Sequence, residues 1–297
     1  MLDFVYKTKP YEHQSEALEE SWSAIDHALF LEMGCGKSKI LIDNIAILYN
    51  KGRIDSALIV APKGVYDNWV SGEIPIHLPD YIKARVVKWS PSETKKNQAL
   101  RDSALEHTLD LTILVMNVEA FSTLKGTKFA GKFLLGKRSL FAVDESTTIK
   151  SPSARRTKNI VRLSKYAQYR RILTGSPVTR SPLDLYTQCE FLDPELLGYG
   201  SYYSFRARYA EMLNRTAGGR TFKQVVGYKN LEELNKLLLK FSSRVLKKDC
   251  LDLPDKIYMT RNIELTPEQE KAYKELKAYA ITQLYDEQKG GQQDSST

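Results

Sequence analysis

The stretch Leu31-Glu32-Met33-Gly34-Cys35-Gly36-Lys37-Ser38 lies between an apolar run at 28–31 and a helix-like stretch at 37–49. Its residue types suit phosphate binding. Gly34 and Gly36 let backbone N–H groups turn inward around an anion. A helix starting near Lys37 points its partially positive end at the same place. The Lys37 ammonium can reach terminal phosphates, and the Ser38 hydroxyl can ligate magnesium. The full spacing G-x-x-x-x-G-K-[S/T] fails at its first position, Leu31, while G-x-G-K-S is intact. The plainer alternative is a glycine turn with a helix cap. Cys35 reads as a tolerated small residue.

Far downstream, Asp144 and Glu145 close the apolar run 139–143. Two carboxylates at the end of a buried strand can divide the work of phosphoryl transfer. One holds magnesium and the other orients or deprotonates a water. An acidic helix cap is the alternative, and the upstream phosphate loop weakens it. His13, His27, His77 and His107 have no metal-ligand spacing and read as surface or packing residues. Cys35, Cys189 and Cys250 form no C-x-x-C. A disulfide framework and a zinc cluster are therefore not expected, and a reducing cytoplasm is.

The charge distribution isolates these two acids. The 297 residues include 44 Lys/Arg and 36 Asp/Glu, for a formal net charge of +8. Residues 120–183 hold fourteen basic side chains and only Asp144 and Glu145 as acids, a local +12 that leaves −4 for the rest. Between 150 and 180 there are nine basic residues and no acid: Lys150, Arg155, Arg156, Lys158, Arg162, Lys165, Arg170, Arg171 and Arg180. Such a run is either a solvated helix face or a surface for a phosphate backbone. With 42% hydrophobic residues the chain can form a packed core. No apolar run approaches the roughly 20 residues that span a bilayer, and 1–11 is not a secretory signal, so a membrane partner is not expected.

The elements that must position these residues follow from periodicity. Short apolar runs at 28–31, 57–61, 84–89, 111–116, 139–143 and 171–174 read as strands. Helical stretches at 37–49, 65–74, 92–107 and 154–166 separate them. Near-continuous apolar strands alternating with helices predict an α/β fold, a parallel sheet covered on both faces. Ligands of such sheets sit at the carboxyl ends of the strands. From 183 to 241 the chain reads as mainly helical, broken at 217–228 by a small hairpin or ordered loop around Gly218-Gly219. Residues 257–265 alternate like a strand. Thr266-Pro267-Glu268 starts a helix to about 288, with Thr as cap and Pro at the first helical position. The tail 289–297 reads as disordered.

Taken in order, the motifs resemble those of the SNF2 family within helicase superfamily 2. Pro10-Tyr11-Glu12-His13-Gln14 resembles the Q motif, which implies that Gln14 reads the adenine edge. Glu32 to Ser38 resembles motif I, with Gly34, Cys35, Gly36, Lys37, Ser38 and Lys39 on ATP. Ile59 to Lys63, with Asn68-Trp69 after it, resembles motif Ia. Asn117-Val118-Glu119 sits at motif Ib. Asp144 to Lys150 resembles motif II and its extension, and Leu173-Thr174-Gly175-Ser176-Pro177 resembles motif III. Residues 191–196 with Phe205-Arg206, then 244–256 and 265–269, resemble the stretches that follow.

The resemblance implies a RecA-like P-loop lobe over 1–182, a mainly helical SNF2-type insertion over 183–256, and a closing strand and helix over 257–288. It implies ATP with Mg²⁺ on Ser38 and Asp144, with Glu145 and Lys37 catalytic. Thr147, Thr174, Gly175 and Ser176 stand at coupling positions, but Thr147 occupies the place of the family's histidine, which leaves that coupling open. Pro62, Lys63, Asn117, Glu119 and Lys150 stand where the family touches nucleic acid, and Arg155 and Arg156 of the basic run are expected to join them. The expected partner is DNA, duplex and sequence-tolerant, because phosphate contacts set register and not sequence. A second RecA-like lobe would need about 150 further residues. Without it, in the same chain or in trans, hydrolysis is expected to be weak. A one-lobe ATP- and DNA-binding switch and a restriction-type ATPase subunit are the alternatives; the segments LPDK at 253–256 and LTPEQ at 265–269 favour SNF2. The compact form suggests a phage or bacterial source, hence a host cytoplasm.

Overall fold

The computed structural model describes residues 4–217, 220–250 and 259–290. It divides into two units, 1–252 and 253–297. The first begins with α1 (Glu12–Ser21), β1 (Asp26–Leu31), α2 (Lys37–Asn50) and β2 (Ser56–Ala61). A π-helical turn, Trp69–Glu73, joins α3 (Tyr66–Asn68) to α4 (Ile74–His77). Then come β3 (Ala84–Lys88), α5 (Lys95–Leu105), β4 (Leu111–Asn117), α6 (Leu124–Leu135), β5 (Ser139–Asp144), α7 (Arg155–Ser164) and β6 (Tyr169–Leu173). The remainder is α8 (Leu185–Leu192), α9 (Tyr202–Tyr209), β7 (Ala210–Ala217), β8 (Arg220–Tyr228), α10 (Leu231–Leu238), β9 (Ser242–Val245) and α11 (Lys247–Cys250).

Seven strands form one sheet in the order β3-β4-β2-β5-β6-β1-β9, and every neighbouring pair is parallel. Successive side chains point to opposite faces, so both faces need apolar residues. Ala28 and Phe30 of β1 join one core with Phe129, Phe133, Ile160, Leu163 and Phe191. Leu29 and Leu31 join the other, with Leu18, Ile40, Ile45 and Ile74. Burying each such large side chain contributes about 1.5–3 kcal/mol. This two-sided core is why the strands read as continuous apolar runs, and it matches the expected α/β class.

Several elements differ from the sequence expectation. The sequence pattern does not mark helix α6, because Gly126 and Gly131 dilute it. Thr123 caps it by accepting the Gly126 N–H at 3.1 Å, and a Cβ on Gly126 would stand 2.3 Å from the Ala120 carbonyl oxygen. The hairpin is larger than expected: β7 already begins at Ala210, inside the stretch whose pattern predicts helix, and pairs antiparallel with β8 from Ala210↔Tyr228 to Ala217↔Arg220. Strand β9, Ser-Ser-Arg-Val, has no apolar run. It forms because β1 supplies partners, Ala28↔Ser242 to Leu31↔Val245, and context overrides propensity there. It brings residues from the stretch read as a helical insertion into the main sheet.

The second unit contains α12 (Pro267–Gly290). Thr266 accepts the Gln269 N–H at 3.3 Å, as its cap position predicts. Residues 259–265 carry no strand, contrary to the alternation at 257–265. Met259 and Ile263 stay exposed, and alternation makes a strand only where a neighbour completes the ladder. Residues 257, 258 and 291–297, and the LPDK segment, lie outside the described residues. Among the described residues no helix is long and apolar enough to cross a membrane.

Candidate nucleotide site and nucleic-acid face

The loop between β1 and α2 has the backbone its glycines permit. Gly34 and Gly36 have φ of 88° and 81°, a region L side chains rarely adopt. Gly36 caps α2, and a Cβ there would lie 2.2 Å from Gln14 Nε2. Helix α1 braces the loop from outside. Gln14 is buried, donates to the Cys35 carbonyl at 3.3 Å and accepts the Tyr11 N–H at 3.1 Å. His13 Nε2 also donates to the Cys35 carbonyl, at 3.0 Å. His13 is thus a loop-bracing residue that its lack of metal spacing concealed. Lys37 Nζ folds across the loop and donates to the Leu31 carbonyl at 3.0 Å.

Asp144 ends β5 and Glu145 turns the chain away from it. Glu145 has φ 46° and ψ 60°, a left-handed conformation that costs a non-glycine residue about 1–2 kcal/mol. Strain of this kind persists where surroundings fix it and clusters at functional sites. Thr174, just past β6, donates its hydroxyl to Glu145 Oε2 at 3.3 Å and accepts the Ser176 N–H at 3.2 Å. A Cβ on Gly175 would lie 3.2 Å from the Met33 N, so this backbone rests on the phosphate loop. Arg244 of β9 clamps the two together, donating to the carbonyls of Phe30 at 3.3 Å and Gly175 at 3.2 Å. The Lys247 N–H adds a bond to Glu32 Oε2 at 2.7 Å.

Asp144 accepts two hydrogen bonds, from the Trp69 indole at 2.9 Å and from the Glu145 N–H at 2.9 Å. Burial raises its pKa, and the neighbouring Glu145 charge raises it further. Trp69, the Glu145 N–H and the Lys37 charge pull the other way. A buried carboxylate beside a like charge gains from a cation. Among the described residues no group of three or more His, Cys, Asp or Glu could hold a metal by itself. An ion here needs ligand oxygens from elsewhere, which is how magnesium is held with one or two carboxylates and a substrate's phosphates. The residues present fit MgATP on that count and through the glycine cradle.

Some expected residues are committed elsewhere. The Lys39 ammonium does not face the loop; it pairs with Asp43 Oδ2 at 2.7 Å, both buried, and lies over the Tyr6 ring. Thr147 makes no side-chain hydrogen bond among the described residues and gives its carbonyl to Lys150 N. Trp69, which follows the motif Ia resemblance, is both buried and bonded to Asp144; no spacing rule pairs an indole with a carboxylate. Cys35 and Cys250, far apart in sequence, bring their sulfurs within 3.9 Å as free thiols.

The nucleic-acid candidates sit at or near the carboxyl ends of strands on the same edge. Pro62 and Lys63 follow β2, with Lys63 exposed. Asn117 ends β4 and accepts the Ala120 N–H at 2.9 Å, a cap; Glu119 is an exposed acid. Lys150 bonds the Thr179 hydroxyl and lies 3.6 Å from Asp184. Arg155 is exposed, while Arg156 donates to the Thr148 carbonyl at 3.0 Å. Along α7, Arg155, Lys158 and Arg162 form an exposed stripe. Two members of the basic run are committed to partners within the fold. Arg170 makes a two-point pair with Asp26 at 2.5 and 2.8 Å. Arg171 is fully buried and donates to Asn44 and to the carbonyls of Ser21, Ala24, Ile25 and Arg170. The stretch 199–209, with four tyrosines, packs inward, Phe205 against Tyr209 with ring centroids 4.8 Å apart; Tyr203 alone of these tyrosines stands mostly exposed.

A family model described as the SNF2-related domain matches residues 15–297. The chain is 28% identical over 264 residues to the chromatin-remodeling ATPase INO80 of Cryptococcus neoformans, covering 85% of this chain and 14% of that protein. It is 28% identical over 249 residues to the mouse DNA annealing helicase and endonuclease ZRANB3, covering 83% of this chain and 21% of that one. It therefore spans a minor part of these relatives' length. The Sulfolobus solfataricus SWI2/SNF2 ATPase core, solved in complex with dsDNA, shares the fold with a TM-score of 0.61 at 22% identity, over 92% of this chain and 53% of that one. These fungal, animal and archaeal relatives lend no support to a phage or bacterial source.

Proposed function

The chain belongs to the SNF2-related domain family, and from that premise we propose that it is the ATP-binding lobe of a DNA-dependent ATPase that acts with a second RecA-like lobe. The observation that carries the reading is one bond: Thr174 to Glu145 Oε2. It joins the acid just past β5 to the turn after β6, and that turn rests on the phosphate loop.

In this reading Gly34, Cys35, Gly36, Lys37 and Ser38 hold the phosphates, and Gln14 lies at the loop beside the base. Lys39 stands outside the site. Ser38 and Asp144 would hold magnesium, which neutralises phosphate charge when bound. Glu145 orients or deprotonates the attacking water, its direction set by the left-handed backbone and by Thr174. Thr174, Gly175 and Ser176 report on what fills the loop. Lys63, Arg155 and the stripe on α7 hold the DNA backbone, with Lys150 at its edge. The archaeal core's complex with dsDNA and the match to about half of that core support a duplex partner and a second lobe.

The reading is tested by magnesium-dependent ATP binding and DNA-stimulated hydrolysis in the wild type, Lys37→Ala and Glu145→Gln. Lys37→Ala is expected to lose binding, and Glu145→Gln to keep binding and lose turnover. Equal behaviour of all three removes the assignment. Turnover by the 297-residue chain alone is expected to be slow, since a second lobe would supply an arginine finger, and such a finger contributes about 10³–10⁵ in rate where measured in GTPases.

A further inference from the structure

Thr147 leaves the link between the paired acids and the turn after β6 without its usual side chain. Its neighbour Ser146 is fully buried, and so is Gln188 in α8. Ser146 Oγ donates to Gln188 Oε1 at 2.6 Å. Gln188 Nε2 donates to the Pro177 carbonyl at 2.8 Å and to the Asp184 carbonyl at 2.7 Å. The orientation of this amide is fixed by chemistry. Carbonyls only accept, so the NH₂ group must face Pro177 and Asp184, the oxygen must face Ser146, and the Ser146 hydroxyl must donate. No member can turn over without orphaning another, and a buried network with every partner filled behaves as a unit.

The network reaches the surface. Asp184, whose carbonyl Gln188 holds, accepts through its carboxylate from Thr179 N–H at 3.1 Å, the Thr179 hydroxyl at 2.8 Å and Arg180 N–H at 3.0 Å. The same carboxylate lies 3.6 Å from Lys150 Nζ. A second bond, Thr187 Oγ1 to the Ile149 carbonyl at 2.6 Å, binds α8 to the same turn. A displacement of Ser146 must therefore carry α8 and the 177–180 loop with it. That loop presents Thr179 and Arg180 beside Lys150, all on the basic face.

We propose that Gln188 is a positioning residue that couples the Asp144–Glu145 turn to the nucleic-acid face through Ser146 and Pro177, in place of a histidine at position 147. The inference rests on the ATP- and DNA-binding reading above. Gln188 touches neither ligand; it transmits the state of the turn that does.

The test is the ratio of ATP dissociation constants of the full chain without and with saturating duplex DNA, measured with a fluorescent ATP analogue and magnesium. Gln188→Met keeps the length of the side chain and removes its polar atoms. Ser146→Ala removes one hydroxyl, so it serves if the first variant fails to fold. Coupling between linked sites is typically about 5–150-fold. Both variants are expected to bring the ratio close to one while ATP alone and DNA alone bind as in the wild type. The double variant is expected to lose no more than Gln188→Met. A purely structural amide would lower stability and leave the ratio intact, and that result overturns the proposal. So does a wild type that binds both ligands with a ratio of one. A wild type that binds neither overturns the underlying reading instead.

Discussion

The indole N–H of Trp69 donates to Asp144 Oδ2 at 2.9 Å. It ties the π-helical turn after β2 to the acid at the end of β5. A hydrogen bond to a charged group contributes about 1.5–3 kcal/mol. Trp69→Phe keeps the ring in the core and removes the donor. Magnesium-dependent ATP affinity is expected to fall about tenfold, with magnesium-free binding unchanged. The bond favours the ionised carboxylate, so its loss also raises the pH at which magnesium-dependent binding sets in. Titrations at several pH values check both effects, and an affinity equal to wild type rules out this role.

Gly36 separates conformation from space. Its φ of 81° disfavours any side chain, and a Cβ would lie 2.2 Å from Gln14 Nε2. Gly52 has φ 64° with nothing within 4 Å of a Cβ. Gly52→Ala is expected to cost about 1–2 kcal/mol from conformation alone and to bind nucleotide normally. Gly36→Ala is expected to destabilise more and to abolish nucleotide binding, because Gln14 and the loop must part. Urea unfolding together with nucleotide binding distinguishes the two. Normal binding by Gly36→Ala would show that the loop tolerates the displacement.

The legible part of this molecule is the part that repeats a physical rule. Apolar runs marked β1 to β6, since strands buried on both faces need little else. Gly34 and Gly36 are legible as a turn that needs positive φ, and Asp144 and Glu145 as the acids that close an apolar strand; their phosphate and magnesium roles belong to the proposed function. Trp69, Gln188, His13 and Arg244 are not legible. Each acts through at least one hydrogen bond to a residue distant in sequence, and such a bond leaves no local period. Strand β9 was hidden for the same reason, as its only warrant is β1. Lys39 shows the converse: its place in the motif suggested phosphate, but its position on α2 faces Asp43, which burial pushes up to about 6 against the pull of Lys39.

His27 predicts an acid sensitivity. Burial first, and the Arg171 charge second, lower its pKa from 6.5 to about 3. The unfolded chain takes up this proton near pH 6.5, and the folded chain does not until about 3. The folded state therefore loses stability as pH falls through that window, by about 1.4 kcal/mol per unit. Asp43 works in the opposite direction: its raised pKa adds stability as pH falls from about 6 to 3.8. Comparing wild type with His27→Gln isolates the first contribution. Between pH 7 and 5 the wild type is expected to lose about 2 kcal/mol more than the variant. Urea denaturation at the two pH values checks this, and equal losses would place the His27 pKa near its ordinary value.

The basic block predicts two opposite phenotypes within a few residues of sequence. Arg171 is buried, its pKa lowered to about 10 chiefly by burial, so it remains charged at neutral pH. It holds the backbone carbonyls of Ser21 and Ala24 at the end of α1. Arg171→Met leaves those carbonyls unpaired and is expected to cost about 1–3 kcal/mol for each, the range for a buried acceptor left unsatisfied. Its DNA affinity, measured where it remains folded, is expected to match the wild type. Arg155 and Arg162 lie on the exposed stripe of α7. Arg155→Ala and Arg162→Ala are expected to leave stability within about 0.5 kcal/mol. Each is expected to weaken DNA binding equally across sequences and to reduce the salt dependence by about one released counterion. Binding to two unrelated duplexes over a salt series, paired with urea unfolding, reads both phenotypes. If the α7 variants lose stability but keep their salt slope, the stripe is structural and the DNA backbone lies elsewhere on the molecule.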